Sequence, residues 1–259
     1  MFLVGRDARN EALSPPLRQL AGDGHEFANH SFGHQVGYNF MHPDLLSKDF
    51  DDAEIAIQSI SGKRPIGFRA PSFQFSEEIH KELIARDYLY DSSKFPTFFG
   101  PIARVFHFSS SSMSREERHL QKHMFGKFSD GFTTLKPHYL PPGAKLLEFP
   151  ISTFPVIRSP VHMTYVNFIA DLGNKIGELY FQTALKTMRI SSLPFTLLLH
   201  ATDFLGSDDG LQLGFLPGMK GTVDKKLMRL ERLIGSFVQN YHVDSLEHHA
   251  KANFQSSTS

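Results

Sequence analysis

His30 and His34 sit four residues apart at the end of the stretch from Gly22 to His34, after a short half-apolar run where a strand hands its side chains to a turn. Two neutral imidazoles at this spacing converge on one point and can grip a divalent metal ion from one side, with about 2 Å to each ring nitrogen. Spacing alone is weak: with 14 histidines in 259 residues, random placement gives roughly 0.7 such pairs. A second pair, His119 and His123, lies inside Arg-Glu-Glu-Arg-His-Leu-Gln-Lys-His, whose charges read as a solvated helix face. Three further polar groups raise the first pair above the second. Arg69, Asp91 and His200 each close a strand-like run, and in a parallel barrel or open α/β sheet such ends share the face where chemistry is placed. Taken singly, each has a plainer role as well: a turn pair for the histidines, a surface ion pair for Arg69, a turn cap for Asp91 and a satisfied core histidine for His200.

Those ends must be positioned by a large core. A 259-residue chain with 41% apolar residues and 25 phenylalanines fits one big domain over 1–259 better than two small ones. Lys plus Arg and Asp plus Glu both number 27, so no basic field argues for nucleic acid. There is no cysteine, which removes disulfides, thiolate metal sites and a cysteine nucleophile together. No run of 18 apolar residues appears, so the chain reads as soluble, without a transmembrane segment, and as cytoplasmic unless an export signal has been lost with its start.

The elements alternate. Phe2 to Val4 resemble the tail of a buried strand; Ser14-Pro-Pro opens a short helix with Leu17 and Leu20; His25 to Asn29 forms the strand ending at the histidine pair. Pro43 and Asp44 open a helix with Leu46, Phe50, Ala53, Ile57 and Ile60 on one face, stopped by Gly62. Ile66 to Ala70 is a strand, Ser76 caps a helix carrying Leu83 and Ile84, and Tyr88 to Asp91 is a strand. The rhythm breaks over about 95–142, read as an irregular insertion. It resumes with a strand over Lys145 to Ile151 and a long helix over Phe168 to Met188 with Ile169, Leu172, Ile176 and Leu179 inward. A strand from Phe195 to His200 and a helix with Leu227, Leu230, Ile234, Phe237 and Tyr241 on one face complete the pattern, and the tail from about Glu247 is expected to fray. The alternation predicts an α/β architecture with parallel strands.

Gly-His-Glu-Phe-Ala-Asn-His-Ser-Phe-Gly-His at 24–34 resembles the second motif of the polysaccharide deacetylases, the NodB-type carbohydrate esterases. Phe-Arg-Ala-Pro-Ser-Phe is similar to their third motif, Asp91 stands where the fourth has its aspartate, and Leu-Leu-Leu-His ending at His200 is similar to the fifth. The resemblance implies a distorted (β/α) barrel. It implies a divalent metal, zinc in first place with cobalt, manganese and nickel as alternatives, held by His30, His34 and a carboxylate. It implies an oxyanion site at Pro71 and a backbone N–H near Ser72, and His200 as a proton donor kept cationic and oriented by Asp91. Arg69 would hold the catalytic aspartate ionised. The activity implied is hydrolysis of an N-acyl group on an amino sugar in a polymer or lipid-linked glycan. A small cyclic amide or ureide is the related alternative substrate.

The pattern is also broken. The family's first motif, a Thr-Phe-Asp-Asp-like stretch that supplies the base and the third ligand, would precede Phe2, so the resemblance predicts a barrel missing its first strand and helix. A misplaced start, a truncated remnant and a substitute carboxylate from Asp23, Asp203 or Asp208 are the three explanations. A non-catalytic remnant or sugar-binding module is therefore the functional alternative.

Overall fold

The computed structural model describes residues 1–101, 126–141, 143–211, 213, 216 and 218–256. Among the described residues six short strands form one sheet: β1 Phe2–Leu3, β2 Ala28–Asn29, β3 Gly67–Phe68, β4 Tyr90–Asp91, β5 His138–Tyr139 and β6 Leu147–Glu148. The order is β1-β2-β3-β4-β6-β5; every pairing is parallel except β5 against β6. Helices intervene at α1 Gly5–Ala8, α2 Ser14–Gly22, α3 Pro43–Ser61, α4 Glu77–Ala85, α5 Met163–Ala170, α6 Asn174–Ile190, α7 Val223–Asn240 and α8 Leu246–Ser256. This is the mixed α/β fold with a parallel-dominated sheet that the alternation predicts. Among the described residues no helix is long and apolar enough to cross a membrane.

Register places the chemistry. Asn29 pairs with Phe68, Phe68 with Asp91 and Asp91 with Glu148, so the strands end almost level. The residues one step on, His30, Arg69 and Ser92, therefore share one rim of the sheet. The stripe on α3 behaves as its period predicts: Leu46, Phe50, Ala53, Ile57 and Ile60 are all buried. Phe50 and Phe68 meet with ring centroids 5.0 Å apart, and full burial of a ring such as Phe50 contributes roughly 1.5–3 kcal/mol. Gly62 ends α3 at φ 71, a conformation glycine adopts without a Cβ penalty. Gly67 is required for a different reason, because a Cβ there would lie 1.9 Å from the Tyr90 ring that packs over it.

Four expectations are corrected. The helix over Phe168 to Met188 is two helices broken at Gly173, and the break turns α6 so that Gly177, Phe181, Ala184, Leu185 and Met188 face the core. Leu172, Ile176 and Leu179 are left exposed, the period having been read through the break. Phe195 to His200 is extended but joins no strand; Thr196 N–H donates to the Ser152 hydroxyl and the Leu198 carbonyl accepts from Met163. The tail does not fray from Glu247. It forms α8, with Ala250 buried among Ala28, Tyr90, Leu147 and Phe149. Within the irregular 95–142 segment, β5 and a 3-10 turn over Phe128–Phe132 are formed, while residues 102–125, including His119 and His123, lie outside the described residues.

The α5–α6 crossing depends on the absence of a side chain, since a Cβ on Gly177 would lie 2.6 Å from the Ala170 Cβ. Gly177→Val is expected to lower stability by roughly 1–3 kcal/mol, read as a lower midpoint in urea unfolding with the slope unchanged.

Candidate functional site

The histidine turn is built by three elements. β1 and α1 receive it: His30 N–H donates to the Leu3 carbonyl, while Gly5 and Arg6 N–H donate to the carbonyls of Ser31 and Phe32. From α3, buried Asp49 reaches up and accepts from Phe32 N–H at 2.9 Å, Gly33 N–H at 3.3 Å and the Tyr38 hydroxyl at 2.9 Å. Ser31 and His34 both take positive φ, 63 and 49, conformations that these hydrogen bonds hold in place. Burial raises the Asp49 pKa, and its bonds to Phe32, Tyr38 and Gly33 oppose the rise. Sequence reading missed Asp49; the signal was a carboxylate next to Phe50 inside an apolar stripe.

The two rings stand 4.9 Å apart, edge to face. His30 Nδ1 lies 2.7 Å from the Arg69 carbonyl, an acceptor only, so Nδ1 carries the proton and Nε2 keeps its lone pair. Burial pushes the His30 pKa down to about 4, so the ring is neutral at pH 7. A carbonyl behind the other nitrogen is the arrangement a ligating histidine needs. The pair therefore fits a divalent metal as two ligands. A third is lacking: among the described residues no group of three His, Asp or Glu is arranged to hold an ion. Of the three substitute carboxylates, Asp23 is an exposed residue ending α2, Asp208 accepts from Val223 N–H, and Asp203 is committed to His200, Thr164 and Asn167.

Arg69 is buried at the end of β3. Its Nε and one terminal nitrogen donate to the Ser92 carbonyl and hydroxyl at 2.9 and 2.8 Å, and its guanidinium lies over the Phe2 ring at 3.9 Å. Burial lowers its pKa to about 10; Tyr90, Asp91 and Glu148 counter the fall. Its charge also lowers the pKa of His30 and of His200. Past Ala70, Pro71–Phe73 is a tight turn with Ser72 at φ 53, and the turn's own hydrogen bonds run from Phe73 to Ala70 and from Gln74 to Pro71. Those bonds do not engage the Ser72 N–H.

Asp91 and His200 are not brought together. Asp91 is fully buried; Ser93 hydroxyl donates to its Oδ1, and its Oδ2 faces His80 Nε2 at 3.7 Å. Its register partner Glu148 is equally buried, accepts from Lys94 N–H, and is raised well above its ordinary pKa by burial and then by Asp91. Asp91 Oδ2 and Glu148 Oε2 both lack a hydrogen-bond donor. His200 instead meets Thr164 and Asp203: Nδ1 is 2.8 Å from the Thr164 hydroxyl, and its N–H donates to Asp203 Oδ2 at 2.8 Å. Its pKa is lowered, first by burial, with Asp203 opposing and Arg69 and His34 reinforcing. The geometry thus departs from the expectation that Asp91 keeps His200 cationic, because the hydrogen bonds of His200 go to Thr164 and Asp203 while Asp91 faces Ser93 and His80.

A parallel-dominated sheet thus carries His30 and Arg69 at its strand ends, His34 on the turn that follows β2, and His200 after a segment that joins no strand. Residues 1–90 match the polysaccharide deacetylase family model, which takes in His30, His34, Arg69, Pro71 and Ser72 and stops before Asp91. No curated protein matches significantly. Among solved structures, a protein from Mycobacterium smegmatis assigned to the polysaccharide deacetylases superposes with a TM-score of 0.59 at 18% identity, covering 97% of this chain and 70% of that one. Puue allantoinase gives 0.53 at 13% identity over 96% of this chain and 65% of that one. A Pseudomonas aeruginosa PAO1 protein assigned to the polysaccharide deacetylases gives 0.51 at 16% over 91% and 61%. The family model thus matches the first 90 residues, and solved structures assigned to that family share the mixed α/β fold over nearly the whole length of the chain.

Asp49→Ala removes three acceptor contacts beneath the histidine turn and is expected to cost about 1–3 kcal/mol, measured by chemical denaturation. A carboxyl whose pKa folding raises binds its proton more tightly folded than unfolded. The stability tied to Glu148 is therefore full below its ordinary value of 4.5 and is lost as pH rises towards the folded pKa. Glu148→Gln is expected to flatten the decline in stability between about pH 5 and 8, followed by thermal unfolding across that range.

Proposed function

We propose that the rim formed by His30, His34, Arg69, Ser72 and His200 is a metal-dependent hydrolytic site that removes an N-acyl group from an amino sugar in a polymer or lipid-linked glycan. The observation that carries the reading is the pinning of His30 by the Arg69 carbonyl beside His34, which leaves Nε2 free while His200 shares the same electrostatic neighbourhood. His30 and His34 would hold the metal, zinc in first place, together with a carboxylate that the described residues do not provide. When bound, such an ion lowers the pKa of a bound water towards neutral and polarises the acyl carbonyl.

The chain's own residues supply the rest. The Ser72 N–H, which the hydrogen bonds of the turn after Pro71 do not engage, would donate to the acyl oxygen as it gains charge. His200 would pass a proton to the departing amine. Arg69 fixes the position of His30 and adds positive charge at the rim, and Asp91, with Glu148, balances that charge from below. Hydrolysis of a small cyclic amide or ureide would use the same atoms. The lack of a third ligand among the described residues favours a second reading, in which the chain binds sugar without turning it over.

The chain is expected to bind zinc weakly and exchangeably, with little acetate released from N-acetylglucosamine oligomers. Titration calorimetry with zinc on wild type and the His30→Ala, His34→Ala double variant tests the ligands; unchanged binding in the double variant removes the metal assignment. Robust acetate release that vanishes in His30→Ala removes the binding-only reading, and turnover of a cyclic ureide in its place reassigns the substrate.

A further inference from the structure

We infer that Thr164 and Asp203 are the positioning residues of His200, holding its imidazole through a carboxylate–hydroxyl–imidazole relay. Asp203 is buried to 1% exposure and its two carboxylate oxygens receive three donors: Asn167 Nδ2 on Oδ1 at 3.1 Å, and on Oδ2 the His200 backbone N–H at 2.8 Å and the Thr164 hydroxyl at 3.1 Å. An ionised carboxylate can only accept, so the single Thr164 hydrogen points at Asp203. The Thr164 oxygen, 2.8 Å from His200 Nδ1, is then left as an acceptor, and Nδ1 must carry the ring proton in the neutral form. Nε2 is the nitrogen free to face a substrate.

The relay is braced from behind. Thr164 and Asn167 stand one turn apart on α5, and both reach Asp203, which lies in the 3-10 turn Ala201–Asp203 directly after His200. Arg229 on α7 donates to Asn167 Oδ1 at 2.7 Å, which fixes the amide with its nitrogen towards Asp203, and it is itself held by Asn174 Oδ1 at 2.5 Å. Lys226, also on α7 and buried, donates to the Thr202 carbonyl at 2.7 Å and secures the same turn. Four elements thus converge on the orientation of one exposed ring. Asp91 makes no contact with it: its Oδ1 accepts from the Ser93 hydroxyl and its Oδ2 faces His80 at 3.7 Å. The value of the relay to catalysis rests on the proton-donor role proposed for His200, while its geometry stands without metal or substrate.

The test is heteronuclear NMR of the imidazole nitrogens, run on the metal-free protein at a pH where His200 is neutral. Wild type is expected to show the Nδ1–H tautomer for His200, against the Nε2–H form that predominates in free imidazole side chains. Thr164→Val, close in shape but without the hydroxyl, is expected to lose the Nδ1–H pattern; Thr164→Ser is expected to keep it. Nε2–H in wild type, or Nδ1–H unchanged in Thr164→Val, overturns the relay. The wild-type spectrum alone decides if the valine variant does not fold. Failure of zinc binding or acetate release leaves these spectra unchanged, so the two readings fail separately.

Discussion

Arg69 is a guanidinium taken out of water at the rim of a parallel sheet, and much of the site depends on how that charge is accommodated. Its carbonyl accepts from His30, its side chain reaches across to the carbonyl and hydroxyl of Ser92, and Phe2 covers its face. One residue thereby ties β1, β2, β3 and β4 together at their C-terminal ends. The negative charge that answers it comes from Asp91 and Glu148, register partners on adjacent strands. Carboxyls side by side in a dry interior repel each other strongly when ionised, and burial with Asp91 beside it raises Glu148 well above its ordinary pKa. Arginine suits this place because its planar fork satisfies two acceptors on one neighbouring residue while its face rests on an aromatic ring.

The histidines belong to two mechanically different halves. His30 and His34 ride on a turn supported by α1 and α3, in the part of the chain the family model matches. His200 follows an extended segment that no sheet hydrogen bonds secure, and its support comes from α5, α7 and its own following turn. The difference explains why one half needed a strand register and the other a polar network. A ring at a strand end inherits its direction from the sheet; a ring after an unpaired segment must have its direction imposed by side chains.

That difference also governed what could be read from residues alone. The stripe on α3, the cap at Ser76, the stop at Gly62 and the placement of His30, Arg69 and Asp91 at strand ends were legible, since each follows from a local period or a local turn preference. Strand-end logic reaches His30 and Arg69, which share one rim of the sheet, and it does not reach His200, whose preceding segment joins no strand. Thr164 was invisible, because its importance depends on a contact 36 residues distant in sequence that no pattern announces. Asp49 and Glu148 were hidden for the opposite reason: each sits in a well-formed element, where a carboxylate among apolar neighbours passes as an interruption. The helix break at Gly173 was missed because apolar residues on both sides of it fall in step with one another by accident.

The last helix has a consequence for how the molecule assembles. Glu247 N–H donates to Glu26 Oε2 across a separation of 221 residues, Tyr90 donates to the other oxygen of Glu26, and Ala250 closes over Ala28, Tyr90 and Leu147. The strand that delivers His30 is therefore finished by residues synthesised more than two hundred positions later. On a ribosome, the turn holding His30 and His34 waits for that whole stretch before its covering layer exists. Contacts of such long range reward the chain only after a large loop has closed, which slows folding and keeps the face beneath α8 uncovered in the meantime. The order of synthesis and the order of completion run in opposite directions here, and the first part of the site to be made is among the last to be sealed.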